Sequence, residues 1–264
     1  MSKQPKENNT NKQASIIQHS LYPKYSYLIL FLFAFLLYAN TFNHEYALDD
    51  ALVISENEYT MNGLAGIPEI FTEELFNGYF EQKNKDLIAG GRYRPISLVT
   101  FAIEYDLFMG SPFNGIDEQK LRMNLDENAD LQYILPSRKI HKELIKTFKT
   151  KSDSLRDFQQ KQLLENANID ANDQLIILSN LKKMRSNVDL HQTISHVNNA
   201  LLYGITALLL FLVLNMMFVK HETTRWYLSI PFIATLLFIA HPIHTEVVAN
   251  IKGRDEILAF LFSI

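Results

Sequence analysis

Residues 25–42 read Tyr25-Ser-Tyr-Leu-Ile-Leu-Phe-Leu-Phe-Ala-Phe-Leu-Leu-Tyr-Ala-Asn-Thr-Phe42, a run with no charged side chain. As a helix it approaches the length needed to cross a hydrocarbon layer roughly 30 Å thick. Residues 200–219 and 226–240 are equally free of charge, and residues 257–264 open a fourth apolar run. The pattern predicts membrane helices at 25–42, 196–219 and 226–240, with a fourth begun and cut off at 257–264. Pro231 makes the third the weakest of these, because a proline inside a helix frees a carbonyl that neighbours must satisfy. Average composition hides all of this: 47% hydrophobic residues, a net charge of −4 and a mean hydropathy of −0.05 would suit a soluble protein.

Basic residues near the ends of the runs set the orientation. Lys3, Lys6, Lys12 and Lys24 precede the first run, and Lys220 and Arg225 lie between the second and third, so residues 1–24 and 220–225 are expected in the cytoplasm. Residues 43–195 and 241–256 then share the external side. The Asn-, Gln- and Lys-rich start reads as disordered, and without a small-residue cleavage site the first run reads as a retained anchor. No cysteine is present, which excludes disulfides, thiolate metal sites and cysteine nucleophiles.

The external loop divides by composition. Residues 43–110 mix aromatic and apolar side chains with the turn signals Ile67-Pro68, Asn77-Gly78 and Gly90-Gly91. Within them, residues 95–108 start with proline and are dense in apolar residues, which predicts an interfacial helix too short and too interrupted to span. Residues 111–191 turn polar and helix-prone, with Leu175, Ile176, Leu178, Leu181 and Met184 at helical spacing, and read as an inserted helical subdomain. No internal repeat is visible. The fold class expected is therefore α: a polytopic membrane helix bundle, truncated, with interfacial helices and an inserted external subdomain.

Two polar clusters border the apolar runs on the external side. Asp49-Asp50 follows the first, and His241-Pro-Ile-His244-Thr-Glu246, continued by Lys252-Gly-Arg254-Asp255-Glu256, follows the third. Adjacent carboxylates repel, which raises one pKa and suits general-base work, while arginines stabilise charge developing on a phosphate.

Four stretches carry a family resemblance: Leu48-Asp-Asp50, Gly91-Arg-Tyr-Arg-Pro-Ile96, Ser195-His-Val-Asn-Asn-Ala-Leu-Leu-Tyr203, and residues 240–256. Together they resemble the N-terminal half of the transmembrane and tetratricopeptide repeat O-mannosyltransferases, polytopic glycosyltransferases of the GT-C type. The resemblance leaves out the N-terminal tail and the insert at 111–191. It implies an integral membrane enzyme that moves a hexose, mannose foremost, from a polyprenyl-phosphate sugar to a protein hydroxyl. Asp49 or Asp50 would take the acceptor proton. Arg94, His241, His244 and Arg254 would hold the donor phosphate, with Tyr93 and Glu246 in support. The lipid-linked sugar is substrate, no cofactor is expected, and the partners are that donor, a protein acceptor and membrane lipid, not nucleic acid. A bacterial inner membrane is preferred over the endoplasmic reticulum, further spans and repeats are expected beyond residue 264, and the piece alone is expected to be inactive.

Plainer readings compete at each position. Asp49-Asp50 could cap a short helix, Arg94 could be an interfacial anchor, and Arg254 could pair with Asp255 or Glu256. His241, His244 and Glu246 could bind a divalent metal, as in a membrane metallohydrolase. The spans could also anchor a non-catalytic scaffold.

Overall fold

The computed structural model describes residues 24–47, 49–74, 78–79, 93–116, 136–218 and 225–264. The expected disordered N-terminus, Leu48, the turn signals at Asn77 and Gly90-Gly91, the middle of the insert and most of the turn at 220–225 lie outside the described residues. Among the described residues all regular structure is helical. The helices are α1 (Lys24–Leu37), α2 (Glu58–Met61), α3 (Ile67–Thr72), α4 (Pro95–Phe108), α5 (Pro136–Lys146), α6 (Asp153–Asn166), α7 (Ala171–Met217), α8 (Ile230–Ala240), α9 (His244–Ala249) and α10 (Arg254–Ser263).

The spine is α7, whose 47 residues make a rod about 70 Å long. Sequence reading divided this stretch into a helix of the insert, a loop end and a span beginning at residue 196. The backbone does not break between them, because residues 171–203 contain neither glycine nor proline and the helical register simply continues.

Three buried apolar clusters hang on or beside this rod. Toward its C-terminal end, Ala200, Tyr203, Ala207 and Phe211 pack against Leu30, Ala34 and Tyr38, and against Phe232 and Ile239 of α8. Gly204 permits the close approach of α1, since a Cβ there would stand 2.8 Å from the Phe31 ring. Toward the N-terminal end, Ile177, Leu181 and Met184 pack against Leu144, Ile145, Phe148 and Leu164, in a cluster shared with Met61 and Tyr105 from outside the insert. The third cluster joins Val53, Ile54, Ile70, Leu98, Phe101, Ala102 and Ile251.

Among the described residues one helix, α7, is long and apolar enough to cross a membrane. The expected span at 25–42 is a 14-residue helix followed by a 3₁₀ turn at Ala39–Thr41. The expected span at 226–240 is a 3₁₀ turn, Trp226–Leu228, and then the 11 residues of α8, about 16 Å of helix. Pro231 breaks nothing: it lies in the first turn of α8, where its missing N–H has no partner to lose, and the Ser229 side chain caps Phe232 N. All three helices expose apolar side chains outward, among them Leu28, Leu32 and Leu36 of α1, Leu209 and Leu212 of α7, and Ile233 and Leu237 of α8.

Candidate active site

The acidic doublet and the turn at Lys252 meet beside the cluster that holds Val53, Ile54 and Ile251. The buried Asp50 carboxylate accepts two backbone N–H groups, from Ala47 and from Lys252, each at 2.8 Å. The second of these bonds joins positions 202 apart in sequence. Asp49 is half open, and its carboxylate lies 3.0 Å from Lys252 Nζ. The helix-cap reading fails here: Asp50 precedes the π-helical turn Ala51–Ser55, but its side chain makes no bond to that turn's amides. Burial raises the Asp50 pKa above the ordinary carboxylate value; the Ala47 and Lys252 amides oppose this, and the Asp49 charge reinforces it.

Gly253 explains how the Lys252 turn can sit so close. A Cβ there would lie 2.1 Å from the Val247 carbonyl oxygen, so only glycine lets the 3₁₀ turn Ile251–Gly253 pack on α9. The Asn250 side chain also caps Lys252 N at 3.2 Å.

Arg254, expected to hold donor phosphate, occupies a different environment. It is 1% exposed and all five of its N–H groups are taken. Nε donates to Asn199 Oδ1 at 2.8 Å, one terminal nitrogen to Thr100 Oγ1 and Glu104 Oε1, the other to Glu104 Oε2 and the Ser195 carbonyl. Its guanidinium also stacks 4.3 Å from the Phe101 ring centre. Ser195 Oγ and Asn198 Nδ2, each 2.7 Å from Glu104, complete the carboxylate's partners. Asn199 Nδ2 reaches back to the carbonyls of Asn250 and Ile251, at 3.1 and 3.2 Å. The knot therefore fastens α4, α7 and α10 together and fixes the turn that carries Lys252.

Arg94 is the more accessible arginine. It pairs with Asp255 and, at 3.4 Å, with Glu256, while its side chain keeps 33% of its surface in solvent. Tyr93 is exposed and donates its hydroxyl to the Phe71 carbonyl at 2.8 Å. His241 is exposed and accepts from Ile243 N at 3.3 Å; His244 lies against the rings of Phe238 and Tyr203, and Glu246 is exposed. Among the described residues no group of three or more His, Cys, Asp or Glu is placed to hold a metal ion, so the histidine pair gives the metallohydrolase reading no geometric support.

Sequence reasoning assigned no role to Glu104, Thr100 or Asn199. Glu104 did carry a signal, as one of two carboxylates, with Asp106, in a mostly apolar helix, where burial demands a partner. Tyr46 and His191, joined by a hydroxyl–imidazole hydrogen bond beside this knot, were also missed.

Against known proteins the likeness is local. The chain is 53% identical over 38 residues to Protein O-mannosyl-transferase F38B6.6 of Caenorhabditis elegans, which covers 14% of this chain and 6% of that protein. It is 40% identical over 73 residues to Protein O-mannosyl-transferase TMTC4 of Mus musculus, 25% of this chain and 10% of that one. The matched segments thus span a small fraction of either relative's length. No family pattern and no solved structure matches the chain. Both matched proteins carry the name O-mannosyl-transferase.

Proposed function

We propose that the chain carries the acidic site of a multi-pass membrane glycosyltransferase that moves mannose from a polyprenyl-phosphate carrier to a protein hydroxyl. The observation that carries this reading is the junction of Asp49-Asp50 with the Lys252 turn, two stretches from opposite ends of the chain that fold into one charged corner beside the apolar helices. The outward apolar faces of α1, α7 and α8 support a lipid environment for all three.

In this reading the acceptor oxygen attacks the anomeric carbon and the carbon–oxygen bond to the lipid phosphate breaks. The phosphate leaves with the bonding electron pair, and the acceptor proton passes to a carboxylate. Asp49 is the better placed of the two, because its carboxylate is half open while both oxygens of Asp50 are held by backbone amides. Asp50 then positions Asp49. Lys252 and the partly open Arg94 supply positive charge for the departing phosphate, and Arg254 keeps their scaffold rigid.

The test uses the complete polypeptide in native membranes, given polyprenyl-phosphate mannose labelled in the sugar and a serine- and threonine-containing peptide. Label should enter the peptide and be lost with Asp49→Asn. Undiminished transfer by Asp49→Asn would remove that residue as the base.

A further inference from the structure

The insert carries a half-open cleft of about 520 Å³ between α6 and α7 that the proposed transfer reaction does not use. Its wall carries four cations, Arg156, Lys161, Lys182 and Arg185, against two carboxylates, Asp153 and Asp157. Asp153 is already paired with Arg156. Lys161 approaches Glu165 only at 4.0 Å and at the surface, a pairing that contributes little. Lys182 and Arg185, one turn apart on α7, have no carboxylate partner among the described residues.

The two guanidinium groups are held in place by the backbone. Arg185 donates to the Phe148 carbonyl at 2.6 Å and lies 5.9 Å over the Phe148 ring, and Arg156 donates to the Thr150 carbonyl at 3.2 Å. Each keeps further N–H donors in a fixed plane, the arrangement suited to a tetrahedral or planar oxyanion. Phe148, Leu178 and Leu181 add an apolar wall. The volume is that of a pocket for a small organic molecule.

From this geometry we infer that the cavity binds a small organic phosphate, its dianion set among Arg156, Lys182 and Arg185 and its organic body against Phe148 and Leu178. The inference does not depend on the glycosyl-transfer reading.

Calorimetric titration of the purified full chain in detergent tests it, with mannose 6-phosphate as the probe, mannose as the neutral arm and inorganic phosphate as the bare anion, all at one ionic strength. The expected result is saturable binding of the sugar phosphate and none of mannose, with inorganic phosphate weaker than the sugar phosphate. Lys182→Gln, an exposed change that leaves the insert's core alone, should weaken binding several-fold, and Lys182→Gln with Arg185→Gln more than ten-fold. No binding of the sugar phosphate, binding unchanged in both variants, or inorganic phosphate binding as tightly would overturn the assignment.

Discussion

Glu104 receives both terminal nitrogens of the Arg254 guanidinium, at 2.5 and 3.3 Å, where the two side chains keep only 8% and 1% of their surface. Ion pairs this deep are sensitive to the loss of one member, since the survivor stays buried and uncompensated. Glu104→Ala should therefore destabilise the fold by about 3–5 kcal/mol, a drop in melting temperature on the order of 10 °C. Replacing both partners together, Glu104→Gln with Arg254→Met, should recover much of that loss. Thermal unfolding in detergent measures both, and a single variant that melts with the wild type would show the pair to be hydrated.

The two carboxylates of the doublet should separate by phenotype. Asp49→Asn leaves every backbone contact of Asp50 in place, so its melting temperature should stay near wild type while sugar transfer falls by roughly 100-fold or more, the weight of a general base. Asp50→Asn replaces one accepting oxygen with an amide that cannot receive the Ala47 or Lys252 N–H. It should lower the melting temperature, and transfer with it. Parallel melting and transfer assays on the two variants read this difference.

Gly253→Ala should loosen the Lys252 turn. The new methyl group cannot sit 2.1 Å from the Val247 carbonyl oxygen, so α9 and the turn must part, at a cost of about 1–3 kcal/mol. Limited trypsin digestion should then cut after Lys252 faster than in the wild type.

Acid should weaken the region around α5 and the middle of α7. Burial holds the His191 imidazole down at about 4 and His141 at about 3, both below the ordinary histidine value near 6.5. Each is neutral in the fold, and the unfolded chain binds the extra protons first. Stability is thus full above about pH 6.5 and declines as pH falls toward 4. The melting temperature should drop between pH 7.5 and pH 5, and His191→Phe should flatten part of that slope.

The apolar run at residue 25 and the helix-spaced leucines near residue 178 were legible because periodicity and charge absence are local properties. The unbroken course of α7 was legible only in a weaker sign, the lack of glycine or proline across 171–203, which a change from polar to apolar composition concealed. The nearness of Asp50 to Lys252 could be expected only as two clusters sharing one side of a membrane. Which arginine would be buried could not be read at all: Arg94 and Arg254 both follow a polar or glycine-containing turn, and what separates them is Glu104, 150 positions from Arg254 in the chain.

The single rod that carries Phe211 at one end and Ile177 at the other has no hinge to absorb a lean. A displacement at one end is therefore passed along the whole shaft. The posture of the Ile177 end, and the aim of the Asn199 and Ser195 groups midway along, are thereby geared to whatever holds the Phe211 end.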